Sequence, residues 1–248
     1  MTEWVYSLSS ALLVSLISLI GVVTLMLGVK KLERVIPLLI SMAVGGLFTD
    51  AFVHLLPEAF ERSTSPPLTS LYALIGVMVF FLLERYLHWH HEHRAQVVNP
   101  IHPVAYVNLV SDAVHNFLDG LIIGAAYLAS VPAGVATTIA VALHEIPQEQ
   151  GDFAILVNAG FTPKRALMMN FLSASLAILG VVVSLVIGPN VTDYTLFMLP
   201  LAAGGFIYIA GSDLIPELHR ETGVISSLSQ VAVMVTGGGM IYALLLLD

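Results

Sequence analysis

The sequence predicts an all-α integral membrane protein of eight transmembrane helices with an internal inverted repeat. Composition, the spacing of apolar runs and the placement of basic residues predict it. Of 248 residues, 57% are hydrophobic and 10% charged, with mean hydropathy +0.90. Soluble domains are roughly 45–50% apolar and 25% charged. Once apolar runs of about 20 residues are assigned to the bilayer, nothing left is long enough for a separate core, so residues 1–248 read as one transmembrane domain. The absence of cysteine excludes disulfides, thiolate metal ligands and a cysteine nucleophile. A net charge of -8 argues against a nucleic-acid partner, but its location matters more than its size, because many of the carboxylates fall inside apolar runs whose surrounding medium is the lipid bilayer.

Apolar runs fall near residues 7–28, 35–57, 68–87, 104–128, 132–158, 164–188, 194–216 and 225–247. The first has Glu3 where a cleaved leader has a basic segment, and it stays apolar for about twenty residues, so it reads as a retained span. The others are separated by connectors near 30–34, 61–67, 88–103, 130–132, 160–164, 189–193 and 219–223, where prolines, glycines and charges gather. Cytoplasmic loops accumulate Lys and Arg. With eight spans, Lys30, Lys31, Arg34, Arg85, Arg94, Lys164, Arg165 and Arg220 lie on one side and only Arg62 on the other. Both termini are therefore expected outside the cytoplasm. Adding or dropping a span in mid-chain scrambles that asymmetry.

Residues 45–58 (GGLFTDAFVHLLPE) align without gaps to residues 204–217 (GGFIYIAGSDLIPE), with Gly45, Gly46, Ala51, Leu55, Pro57 and Glu58 matched identically. In the eight-span reading the second run goes outward and the seventh inward, as inverted-repeat transporters require.

The fourth and fifth runs contain Asp112, Asp119, Glu145, Glu149 and Asp152, with no Lys or Arg between Arg94 and Lys164. At about 2.5–3.5 kcal/mol for each acid at mid-bilayer, five cost on the order of ten kcal/mol unless protonated, hydrated or bound to cations. A cation pathway meets that need best. In the segment HNFLD, His115 and Asp119 are four residues apart on one helix face, with Asn116 beside them and Asp112 a turn nearer the cytoplasm. In HEIPQEQGD, His144, Gln148 and Asp152 form one stripe and Glu145 and Glu149 the next. Pro147 cannot donate its backbone hydrogen bond and is expected to kink the helix there. Imidazole, carboxylate and amide ligands without thiolate suit Zn²⁺, Fe²⁺ or Mn²⁺ better than Cu⁺.

These residues resemble the ZIP transporters of zinc and related divalent metals, whose fourth and fifth helices carry H-N-x-x-D and H-E-x-P-H-E-x-G-D. His115, Asn116 and Asp119 match the first motif, and His144, Glu145, Pro147, Glu149, Gly151 and Asp152 the second. Gln148 departs, standing where many relatives have histidine. The resemblance implies an eight-helix inverted-repeat fold centred on helices four and five, a homodimer, and movement of metal toward the cytosol. It also implies a binuclear site, with one metal held by His115, Asp119, His144 and Gln148. A second lies near Asn116, Asp119 and Glu145, with Gln148 or Glu149. Zn²⁺ is the expected cargo, with Fe²⁺, Mn²⁺ or Cd²⁺ as alternatives, and Gln148 points to looser binding or shifted selectivity.

At the outer end of the second run, Asp50, His54 and Glu58 read as an entrance, and Asp213 with Glu217 at the inner end of the seventh as an exit. Asp112 and Asp152 read as inner relay carboxylates. Asn170, Ser173 and Ser175 read as packing groups between helices. His88, His90, His91 and His93 form a chelating cluster in a cytosolic loop, outside the transport site. An intramembrane zinc metalloprotease needs H-E-x-x-H, and here the second histidine is Gln148, so no enzymatic role is expected. A proton or organic-cation carrier uses buried acids but has no need of paired histidines set against them. The modest length points to a prokaryotic inner membrane.

Overall fold

The computed structural model describes residues 2–22, 29–92, 104–191, 193–219 and 223–246, and the regular structure among them is helical. α1 (Thr2–Ile17) continues into a 3₁₀ turn (Ser18–Ile20). α2 (Val29–Thr49) passes through a π-helical turn (Asp50–Leu55) into α3 (Leu56–Arg62). α4 (Pro66–Glu92), α5 (Val104–Ala129) and α6 (Val131–Asn158) are long and uninterrupted. α7 (Pro163–Ala174) and α8 (Leu176–Ile187) are divided only by Ser175 and lead to a 3₁₀ turn (Gly188–Asn190). α9 (Tyr194–Tyr208) passes through a second π-helical turn (Ile209–Leu214) into α10 (Ile215–Leu218), and α11 (Val224–Leu245) follows.

Each expected apolar run is therefore helical among the described residues, the sixth with a break at Ser175. Among the described residues, Thr2–Ile20, Val35–Arg62, Pro66–Leu83, Asn108–Ala129, Pro163–Asn190 and Tyr194–Leu218 are long and apolar enough to cross a membrane. α6, at 28 residues, is about 42 Å long, against roughly 30 Å of hydrocarbon core. His144, Glu145, Gln148, Glu149, Gln150 and Asp152 lower its hydropathy together. α11 has 22 residues.

The expected connector at 30–34 and the described part, 88–92, of the one at 88–103 are helical. α2 already begins at Val29, so Lys30, Lys31 and Arg34 are helical, and α4 runs on to Glu92, taking in His88, His90 and His91. Neither segment contains Gly or Pro, and Lys, Arg, Leu and Glu are good helix formers; charge ends the apolar run there without ending the helix. The side chains of those three histidines and of Asp213, and the whole of His93, lie outside the described residues. Elsewhere the breakers act as expected. Ser130 caps α6 by accepting the Ala133 N–H at 3.1 Å. Past the end of α6, Gly160 takes a φ of 103°, a conformation that favours glycine. Pro147, where a kink is expected, lies inside a continuous α6.

The repeat is visible in the backbone. The two π-helical turns occupy equivalent positions of the aligned segments, and each is followed by the matched Pro57 or Pro216. Packing is reciprocal too. A Cβ on Gly45 in α2 would strike the Met234 carbonyl of α11, and one on Gly204 in α9 the Ala73 carbonyl of α4. Likewise Gly237 of α11 abuts the Met42 carbonyl and Gly76 of α4 the Leu201 carbonyl, with Leu201 standing in the second repeat where Met42 stands in the first. Such close backbone approach through small residues is how membrane helices associate when lipid removes the hydrophobic drive.

α5 and α6 pack on each other inside this frame; α5 also contacts α8, α7 and α9, and α6 contacts α1, α2 and α7. One apolar core runs through the middle, from Val14 and Leu47 through Ile122, Ile123 and Val141 to Val181 and Phe206. Large apolar side chains such as Leu13, Leu74, Val110 and Val235 point outward instead, as a lipid-facing surface requires. That inversion leaves the polar residues of α5 and α6 enclosed.

Candidate metal centre

His115 and Asp119 lie one turn apart on α5, opposite His144 and Glu145 on α6. One ligand atom from each of the four comes within 4.8 Å of the rest. The two imidazole Nε2 atoms are 3.3 Å apart. His144 Nε2 stands 3.2 Å from Asp119 Oδ2 and 3.5 Å from Glu145 Oε1, and His115 Nε2 stands 3.6 and 3.7 Å from the same two oxygens. Ligands about 2.0–2.1 Å from a tetrahedral Zn²⁺ lie roughly 3.3–3.4 Å from one another. The group is spaced to surround one such ion.

The contacts of the second imidazole nitrogen agree. His144 Nδ1 faces the Ala140 carbonyl at 3.2 Å; a proton donated there leaves the Nε2 lone pair directed into the group, as in metal-ligating histidines generally. His144, Asp119 and Glu145 are fully buried, and Asp119 Oδ1 and both Glu145 oxygens have no hydrogen-bond partner. Unpaired carboxylate oxygens in an apolar bundle are costly, and a cation satisfies them.

A second group gathers Asp112, Glu149 and Asp152, again with ligand atoms within 4.8 Å. Asn116 donates to Asp112 Oδ1 at 2.8 Å and Asn108 to Asp152 Oδ1 at 2.9 Å. Ser173 hydrogen-bonds Asp112 Oδ2, and the Asn170 amide bonds Glu149 Oε2. Asn170 and Ser173, expected to be packing residues, thus bond these carboxylates from α7, although Ser173 also bonds the local Asn170 carbonyl at 2.9 Å; the Ser175 hydroxyl bonds locally, to the Phe171 carbonyl at 2.6 Å. Their spacing of three residues puts both on one face, a legible signal, but their partners lie on other helices.

At the π-helical turn of α2, a ladder at four-residue steps runs along the chain. His54 Nδ1 meets Asp50 Oδ1 at 2.7 Å, His54 Nε2 lies 3.5 Å from Glu58, and Arg62 bonds Glu58 at 2.7 Å and the Ala129 carbonyl at 3.1 Å. Thr137 of α6 donates to the other Asp50 oxygen at 3.1 Å. The sequence reading singled out neither Thr137 nor Arg62 as a partner.

A cavity of about 560 Å³ opens beside both acidic groups, lined among others by Ile36, Asp112, His115, Gln148, Asp152 and Glu217. Gln148 is half-buried on its wall, one turn from His144. Gln150, which the motif reading passed over, is also on the wall, buried with its Oε1 unpartnered.

Helices of membrane-crossing length, a lipid-type exterior and a buried imidazole–carboxylate group beside a cavity define an integral membrane protein with an internal candidate group of metal ligands. A family model described as ZIP Zinc transporter matches residues 1–102 and 90–245. Zinc transporter ZIP13 of Pongo abelii is 32% identical over 255 residues, covering 94% of this chain and 76% of the relative. Zinc transporter zipt-7.1 of Caenorhabditis briggsae is 32% identical over 293 residues, covering 93% of this chain and 74% of the relative. Human zinc transporter ZIP10 is 38% identical over 146 residues, covering 54% of this chain and 18% of the relative. The chain belongs to the ZIP zinc transporter family. Its matched relatives are named as transporters and not as enzymes, and they are animal proteins.

Proposed function

We propose that the protein carries divalent transition-metal ions across its membrane toward the cytosol, with Zn²⁺ the main cargo and Fe²⁺, Mn²⁺ or Cd²⁺ competing for the same site. The observation that carries this reading is the tetrahedral spacing of His115, Asp119, His144 and Glu145, with orphaned carboxylate oxygens inside the group. Asn116, Gln148 and Glu149 flank it, and in this reading they share the cargo as it passes.

The path begins at Glu58, His54 and Asp50, reaches α6 at Thr137 two turns from His144, and crosses the four-residue group. It leaves through the cavity that holds Asp112, Asp152 and Glu217. Asp213, the repeat equivalent of His54, lies at the same end of the path. Eight crossings with an inverted repeat fit these placements. The cavity is lined by the first half of α5, the later half of α6 and the segment from Tyr208 to Glu217, together with Ile36 and Ile40 of α2 and Phe80 and Leu83 of α4. In this reading of eight alternating spans it opens on the side of the basic residues. Arg62, Leu128, Pro189 and Asp193 border a separate cleft that the same alternation puts on the opposite side. In this orientation both termini are non-cytoplasmic. The working unit is a homodimer, to be read out by cross-linking in the membrane.

The test is uptake of radioactive zinc into proteoliposomes of the purified protein, with Mn²⁺, Fe²⁺ and Cd²⁺ as competitors. Saturable uptake is expected, lost when His115 and His144 are both replaced by alanine in a variant that still elutes as folded protein. Undiminished uptake by that variant overturns the assignment.

A further inference from the structure

We infer that Phe80 of α4 is a positioning residue for the histidine-bearing group: its ring, set across the imidazole of His115, fixes the direction in which Nε2 points and so sets how tightly Zn²⁺ is held. Phe80 has this part only if the four-residue group holds metal, as proposed above, and it lies outside the ligand motifs of α5 and α6.

Four rings follow one another across the bundle. Phe80 and His115 have centroids 6.2 Å apart with their planes at 89°, and His115 and His144 are 5.5 Å apart at 78°. His144 and Phe206 of α9 are 6.2 Å apart at 61°. Steeply inclined rings at such separations attract one another beyond the area they bury. The row therefore begins on α4 and ends on α9, with both imidazoles between. These outer helices are the pair that meet through their backbones at Gly76 and Gly204. Beside that contact a Cβ on Gly205 would lie 2.5 Å from Cε2 of Phe80, so the bare backbone at 205 is what lets the ring lie where it does.

The two imidazoles differ in what else holds them. Rotation of a histidine ring about its Cβ–Cγ bond is only weakly restricted. The Nε2 lone pair lies in the ring plane, so a ring that turns carries its ligand atom off the metal. His144 is held at Nδ1 by the Ala140 carbonyl at 3.2 Å, the usual way a protein orients a metal-ligating imidazole. His115 has no such bond: among the described residues its polar contacts all run through Nε2. Its side chain is partly exposed to the cavity, and Phe80 lines that cavity beside it. Ring packing against Phe80 takes the place of the missing hydrogen bond. Phe80 is itself buried, whereas the next residue in the run, Phe81, is exposed. Nothing in the local pattern LIGVMVFFLL separates the two by role.

The experiment measures Zn²⁺ affinity by calorimetry on the full-length protein in lipid nanodiscs, together with the visible absorption of Co²⁺ bound in place of Zn²⁺, which reports coordination geometry. Phe80→Leu keeps apolar bulk and removes the ring. It is expected to weaken Zn²⁺ about tenfold, as loss of an outer partner of a ligand does, and to alter the Co²⁺ bands. Phe80→Tyr keeps the ring and is expected to preserve both. In a His115→Ala background, Phe80→Leu is expected to change Zn²⁺ affinity by less than about twofold, because an effect that acts through His115 vanishes with it. Melting curves establish that each variant is folded. If Phe80→Leu does not fold, Gly205→Ala, which displaces the ring without removing it, is measured against the same expectations. Unaltered Zn²⁺ affinity or Co²⁺ bands in the folded variant overturn the role of Phe80. So does a loss in Phe80→Tyr as large as in Phe80→Leu, or the same loss with and without His115. Absence of Zn²⁺ binding in the unsubstituted protein overturns the metal-site reading instead, so the two failures are told apart.

Discussion

Single side chains decide what the buried polar groups cost. Asp50 is enclosed beneath His54 and Thr137, and the threonine hydroxyl satisfies the oxygen that His54 does not reach. Thr137→Val keeps the shape and removes that donor, so it is expected to lower stability by about 1–3 kcal/mol, the usual penalty for stranding a buried acceptor. A thermal-shift series on purified protein checks it, and an unchanged melting temperature speaks against the contact. Gln148 is the residue at which the family motif is broken. Placed on the cavity wall one turn from His144, it offers an amide oxygen where many relatives offer imidazole nitrogen. Gln148→His is therefore expected to tighten Zn²⁺ binding and to move the order of competing metals toward nitrogen-preferring ions. Calorimetric titration with Zn²⁺ and Mn²⁺ measures both, and identical affinities in the two proteins refute the role given to Gln148.

Among the elements, glycines set the distances at which helices meet. Gly45 and Gly204 hold α2 against α11 and α9 against α4 through backbone contact, with no room for a methyl group. Gly45→Ala or Gly204→Ala has to push a pair of helices apart and is expected to cost at least about 1–3 kcal/mol. Gly151 is the contrasting case: it belongs to the motif of α6, yet nothing lies within 4 Å of a Cβ placed there. Gly151→Ala is expected to leave packing intact and to raise stability by about 0.5–1 kcal/mol, because alanine loses less chain freedom in a helix. Melting curves of the three variants side by side test the distinction, and destabilisation by Gly151→Ala alone reverses it. The π-helical turns belong to this scale as well. They widen the helix where His54 and its repeat equivalent Asp213 stand, as π-turns at functional positions often do.

For the whole molecule the open question is which way it faces, and the absence of cysteine makes that directly testable. Thr64, in the short turn between α3 and α4, and Lys164, at the start of α7, are both exposed and fall on opposite sides of an eight-span topology. In intact cells a membrane-impermeant maleimide is expected to label Thr64→Cys and to label Lys164→Cys only after the membrane is opened. The reverse pattern inverts the orientation. Equal labelling of both in intact cells removes the alternation on which the path rests.

The sequence by itself determined the membrane class, the helical character of the apolar runs, the likeness of residues 45–58 to 204–217, and most of the acids and histidines that the structure gathers into the candidate site. Hydropathy and charge are local properties, and four-residue spacing fixes which side chains share a helix face. Where it misjudged, at residues 30–34 and 88–92, it took the end of an apolar run for the end of a helix, and polar residues continue a helix as readily as apolar ones. Only the tertiary structure decided which groups meet across helices. Glu145 joins the histidines, Asp112 and Asp152 join Glu149, and Asn108, Thr137, Asn170 and Ser173 become carboxylate partners. Those pairings depend on how α5, α6 and α7 are rotated and set against one another, and that follows from close contacts between residues far apart in the chain, such as Gly120 against Ala177, which no periodicity within a single helix encodes.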